Sequence, residues 1–99
     1  MKKKTKKKEV TTKDVRKIRF SFTDPEAKTV SVAGDFNQWD IFSHPMKKNK
    51  NGIWSISVPF PLGQFEYLFF VDGQWVFDPN CDCSVGNTFG TENCLIVVE

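Results

Sequence analysis

The feature that most constrains this chain is a two-residue hydrophobic period recurring in short stretches. Ile18, Phe20 and Phe22 alternate with Lys17, Arg19 and Ser21, and from Thr29 to Ala33 the pattern returns with Val30 and Val32. A period of two lines one face of a strand, whereas a helix would need apolar residues every three to four positions. The stretches are punctuated by Asp24-Pro25, Gly34, Asn51-Gly52, Asp72-Gly73 and Asp78-Pro79, all turn formers. Further strands are expected over Ile53 to Val58, Gln64 to Val71, Gln74 to Phe77 and Cys94 to Val98. Pro59 and Pro61 are expected to end the strand at 53–58, since proline brings no N–H to a ladder. The stretch Asp35 to Asn51 reads as a long loop that includes a solvated lysine cluster (Lys47, Lys48, Lys50), and residues 80–92 read as turn-rich. No helix is expected. Six or seven short strands of this kind predict an all-β, immunoglobulin-like antiparallel sandwich.

The 99 residues suffice for one domain with one core. Net charge is +2, but six of the fourteen basic side chains are lysines within residues 1–8, which leaves eight basic against twelve acidic groups elsewhere. The reading is therefore a lysine-rich, disordered tail over 1–14 and a mildly acidic folded body over 15–99, which argues against nucleic acid as the body's partner. No apolar run reaches the roughly 20 residues of a membrane span, and no signal peptide follows the lysines, so a cytoplasmic location is expected. Three cysteines (Cys81, Cys83, Cys94) without a CxxC pair fit neither a disulfide framework nor a four-ligand zinc site. They read as small apolar side chains in a reducing compartment. A metal held by Cys81, Cys83 and His44 is the alternative.

Catalysis would need a poised carboxylate pair or a nucleophile beside its base, and the single histidine, His44, belongs to no such motif. Asp72 and Asp78 stand in turns, where local backbone hydrogen bonding explains an aspartate. The scattered glycines form no phosphate loop, and no cofactor is implied. An enzyme is not expected.

Two segments carry a family resemblance. Val30-Ser31-Val32-Ala33-Gly34-Asp35-Phe36-Asn37-Gln38-Trp39 and Phe65-Glu66-Tyr67-Leu68-Phe69-Phe70-Val71-Asp72-Gly73-Gln74-Trp75 resemble the signature of carbohydrate-binding module family 48, and the likeness continues through Asp78-Pro79 to Phe89-Gly90-Thr91-Glu92-Asn93. That family includes the glycogen-binding domain of the AMP-activated protein kinase beta subunit and the N-terminal modules of isoamylases and branching enzymes. The resemblance implies an early-set immunoglobulin-like sandwich and non-catalytic binding of α-1,4-glucan such as glycogen, starch or maltooligosaccharide. It also implies a glycogen-metabolising enzyme or a kinase as a further partner.

Within the resemblance, Trp39 and Trp75 match the tryptophans that stack on sugar rings. An indole can cover the C–H face of a glucose ring while its N–H meets a hydroxyl. Pattern alone leaves each between core and platform, whereas Trp54, in phase with Ile56 and Val58, is assigned to the core. Thr91 and Asn93 match polar contact positions, with a turn or strand-start role as the alternative for Asn93. Phe89 stands at a leucine position that contacts sugar, or else folds onto the core. Leu68 replaces a lysine that hydrogen-bonds sugar hydroxyls, so one polar anchor is absent. A regulatory, protein-docking sandwich is the second functional reading, to which Leu68 lends weight. A single-strand nucleic-acid binder is the third, disfavoured because the aromatic stretch Phe65 to Phe77 carries no basic residue.

Overall fold

The computed structural model describes residues 14–99, so the expected tail lies outside the described residues apart from Asp14. Among the described residues eight strands run in chain order: β1 (Val15–Thr23), β2 (Val30–Gly34), β3 (Lys47–Lys48), β4 (Ile53–Pro61), β5 (Gly63–Val71), β6 (Gln74–Val76), β7 (Cys83–Gly86) and β8 (Glu92–Val98). A single 3-10 turn, Asp35–Asn37, follows β2. All pairings are antiparallel, in a sheet ordered β1-β4-β3 and a sheet ordered β2-β5-β8-β7 with β6 also on β5. The protein is an all-β sandwich, as the alternation predicts.

The core lies between the sheets. Phe20, Trp54, Val58 and Phe60 from the first sheet meet Val30, Val32, Tyr67, Phe69, Cys94 and Val98 from the second. Phe20 packs edge-on to Tyr67 and Phe69, with centroids 4.9 and 6.4 Å away. Burying a side chain such as Phe60, Phe69 or Val32 contributes about 1.5–3 kcal/mol each. Trp54 is in the core as expected, and its indole N–H donates to the Asp24 carbonyl at 2.9 Å. Burial raises the Tyr67 hydroxyl pKa, helped by its 2.6 Å hydrogen bond to the buried Asp78 carboxylate. Burial, joined by the Cys81 thiol, also pushes the Cys94 thiol up to about 12.

Four expectations need correction. First, β4 runs through Pro59 and Pro61 in unbroken register with β1. The Asn49 N–H donates to the Ile53 carbonyl, so odd-numbered residues of β4 turn their backbone polar groups toward β3. By residue 59 β3 has ended, and no donor is required of either proline. Second, the segment after β2 is more than a loop. The Val32 N–H donates to the His44 carbonyl at 3.2 Å and the Met46 N–H to the Val30 carbonyl at 2.8 Å, closing the outer edge of β2. Lys47 and Lys48 then pair with β4. Third, the region 80–92 contains β7, and β8 begins at Glu92.

Fourth, Asp72 is not a local turn carboxylate. Its Oδ1 accepts from the backbone N–H groups of Lys28 and Thr29 at 2.9 and 2.8 Å, while its own N–H donates to the Thr29 carbonyl. This clamps the β5–β6 hairpin, where Asp72 and Gly73 both have positive φ (49° and 86°), to the β1–β2 connection. Asp78 does bond locally, accepting from the Asn80 N–H, in addition to Tyr67.

Gly34 ends β2 against the middle of β5. A Cβ there would overlap the Glu66 carbonyl oxygen and lie 2.8 Å from Tyr67 Cβ. Gly34→Ala should therefore destabilise the fold by about 2 kcal/mol or more in chemical denaturation; an unchanged midpoint would contradict this close approach. The hydrogen bonds from Thr29 and Lys28 hold the Asp72 carboxyl below the usual carboxylate range. Its contribution is thus present above the unfolded-state pKa and lost as pH falls through the folded-state one. Asp72→Asn should flatten the acid arm of stability against pH; an acid arm as steep as in the wild type would exclude the clamp.

Candidate functional site

Strand β5 alternates strictly. Phe65, Tyr67, Phe69 and Val71 point inward, and Glu66, Leu68 and Phe70 lie on the outer face. β2 occupies one edge of β5 over 67–71; on the other edge β8 pairs with 63–67 and β6 with 69–71. β6 thereby sets Trp75 opposite Phe70, with ring centroids 4.8 Å apart. Trp75 remains 48% exposed, and its ring meets Trp39 edge-on at 5.8 Å and 75°.

Trp39 reaches that position through unusual backbone. Gln38 and Trp39 both have positive φ, 56° and 58°, a conformation that costs non-glycine residues about 1 kcal/mol or more each. The buried Asn37 holds the turn: its Oδ1 accepts from the Gly34 N–H at 3.0 Å, and its amide nitrogen lies 3.0 Å from Ser43 Oγ and 2.9 Å from His44 Nδ1. The Trp39 N–H closes the turn on the Gly34 carbonyl at 2.9 Å. The strain is thus kept at a half-buried indole and supported by a buried amide.

A chain of hydrogen bonds crosses the same face. The Trp39 indole N–H donates to Asp35 Oδ1 at 3.3 Å, and Asp35 Oδ2 accepts the Glu66 N–H at 2.9 Å. Glu66 Oε1 accepts from Asn93 Nδ2 at 3.1 Å, and Asn93 Oδ1 from Asn87 Nδ2 at 3.0 Å. Asn87 Oδ1 in turn accepts from the Phe89 N–H, the Thr91 N–H and the Thr91 hydroxyl at 3.0–3.1 Å.

The structure thus brings Trp39 and Trp75 into ring contact and joins Asn93 and Thr91 through Asn87. Leu68, half-buried, lies on the same face between Glu66 and Phe70. Phe89 projects from the 87–90 turn at 88% exposure, not folded onto the core. Asn93 is only 8% exposed, and both ends of its amide are already engaged. Asp35, Glu66, Phe70 and Asn87 complete the cluster and are absent from the expected set. Phase on β5 could have found Glu66 and Phe70, because they alternate with the core residues; Asp35 and Asn87 act through tertiary hydrogen bonds that no local pattern carries.

Two depressions, of about 290 and 340 Å³, are not lined by Trp39 or Trp75, although Asp35 borders the larger one. Among the described residues no group of three or more His, Cys, Asp or Glu could hold a metal. None of their helices is long and apolar enough to cross a membrane.

An open aromatic platform on one face of a β-sandwich is the architecture of a carbohydrate-binding module. The family model for carbohydrate-binding module 48 (isoamylase N-terminal domain) matches residues 6–89, and the chain belongs to that family. Such a module is non-catalytic on its own. Relatives include the human 5'-AMP-activated protein kinase subunit beta-2, 42% identical over 72 residues, which are 73% of this chain and 25% of that subunit. The 1,4-alpha-glucan branching enzymes GlgB of Ralstonia nicotianae (strain ATCC BAA-1114 / GMI1000) and Bacillus cereus (strain AH187) are 49% and 45% identical over 51 residues. These are 50% of this chain and 7% and 8% of the enzymes. The chain therefore spans a quarter or less of these relatives.

Asp35 joins the two halves of the face. Asp35→Ala should destabilise the protein by about 1–2 kcal/mol and speed solvent exchange of the Trp39 indole proton in NMR. Unaltered exchange would mean that Asp35 does not hold the ring.

Proposed function

We propose that this module binds α-glucan, such as glycogen, starch or maltooligosaccharide, by stacking glucose rings on Trp39 and Trp75. The observation that carries the reading is the Trp39–Trp75 pair at 5.8 Å and 75°, in which Trp75 is exposed and Trp39 is half-buried on positive-φ backbone. Two indoles set at an angle fit a curved α-1,4 chain, whose successive rings do not share a plane. Each covers an apolar C–H face that water solvates poorly.

Thr91, Asn93 and Leu68 flank the pair, and Phe89 offers a further apolar contact at the rim. Thr91 already donates its hydroxyl proton to Asn87, so toward sugar it acts as an acceptor. Asn93 keeps one amide proton for a sugar hydroxyl, the other being held by Glu66. The binding module comprises residues 15–99. The names of the relatives, a kinase subunit and glucan branching enzymes, support glucan as the ligand and a glycogen-metabolising enzyme or kinase as a partner.

With few direct contacts on an open surface, the dissociation constant for maltoheptaose is expected on the order of 10 μM to 1 mM. Titration followed by tryptophan fluorescence should saturate in that range. Trp39→Ala and Trp75→Ala should each weaken binding about tenfold or more, at a stability cost below about 1 kcal/mol for Trp75. No response to millimolar maltoheptaose, or binding unaffected in the double variant, would overturn the proposal.

A further inference from the structure

Charge is divided between the two sheets. Every lysine and arginine lies at or before Lys50, while residues 51–99 carry six acids and no basic side chain, histidine included. In the fold this becomes a polarity across the sandwich. Strands β1, β3 and β4 hold Arg16, Lys17, Arg19, Lys47 and Lys48 and no acid. Strands β2, β5, β6, β7 and β8 hold Glu66 and Glu92 and no cation. The aromatic face belongs to the second sheet.

Its charged groups are correspondingly acceptors, with Asn93 keeping one amide proton beside them. Asp35 spends one oxygen on the Trp39 indole and the other on a backbone N–H, and Glu66 gives Oε1 to Asn93. Glu66 lies half-buried two residues from Leu68 and four from Phe70, the ring beneath Trp75, so its charge sits within the platform and not on a distant rim. A neutral polyol donates hydroxyl protons to such groups. An anionic ester brings only acceptors and a charge of the same sign, with no cation among those strands to compensate.

From this we propose that the face selects uncharged glucan and rejects phosphorylated glucan, with Glu66 the residue that sets the discrimination. The inference rests on the glucan reading above and names the substrate class within it. Leu68 belongs to the same device, since a cation at that position would offset Glu66.

The test compares maltoheptaose with maltoheptaose carrying one glucose 6-phosphate ester, each titrated into the full chain at low ionic strength and followed by the tryptophan indole NMR signals. The phosphorylated sugar should bind about three- to tenfold more weakly, with the gap closing to about twofold or less in 0.5 M sodium chloride. Glu66→Gln should narrow the low-salt gap by at least half, and Leu68→Lys should close or reverse it, with thermal unfolding checking that both variants are folded. Should Glu66→Gln fail to fold, Leu68→Lys and the wild-type salt series decide. Equal affinity of the wild type for the two sugars, or a gap that neither variant moves, overturns the inference while leaving glucan binding intact. Silence toward both sugars overturns the glucan reading and this inference with it.

Discussion

The strict alternation of β5 is the constraint on which the rest depends. This strand is paired on both edges, and its side chains serve two surfaces at once. Inward, Phe65, Tyr67, Phe69 and Val71 fill the space between the sheets; outward, Glu66, Leu68 and Phe70 form the floor of the aromatic face. A slip of one residue would exchange the two sets, placing a carboxylate in the core and the core phenylalanines in water. The register is pinned at both ends of the β2 pairing. Gly34 permits the close approach at Tyr67, and the Asp72 carboxylate ties the hairpin to residues 28 and 29.

Because one strand builds both layers, core stability and platform geometry are coupled. Trp75 is positioned by a hairpin whose turn is fastened across the molecule, and Trp39 by a loop whose later residues seal the edge of β2. Neither indole rests on a free-standing loop. A site on such supports loses little entropy when a ligand arrives, which suits a surface that makes few contacts. The buried Asn37 shows how the support is achieved, since a single side chain meets groups on both sides of the 38–43 segment.

Much of this was legible in the residues, and what was missed shares a physical origin. Period-two alternation locates β1 and β2 and assigns Phe20, Val32 and Trp54 inward, because burial on one face forces that pattern, while β8 is read from its largely apolar run and β5 from the turns that bound it. The prolines of β4 misled because a missing donor matters only on a paired edge, and which edge is paired is a property of the sheet. The short strands β3 and β7, two and four residues long, carry too little alternation to be read. In the same way, the aromatic pair and its polar neighbours came from the family resemblance, whereas the Asp35–Glu66–Asn93–Asn87 chain joins residues up to 31 positions apart and exists only once the strands are in register. Asp72, taken as a local turn residue, bonds to backbone 43 and 44 positions away.

In the proposed mode of binding, glucan meets the outer face of the β2-β5-β8-β7 sheet at the paired indoles. Backbone and indole chemical-shift mapping with maltoheptaose tests it most directly. Shifts are expected to concentrate at Trp39, Trp75, Leu68, Thr91 and Asn93, with the β1-β4-β3 face and Trp54 undisturbed. Shifts centred on Lys17, Arg19 and Ser57 instead, or spread evenly over both faces, would contradict it.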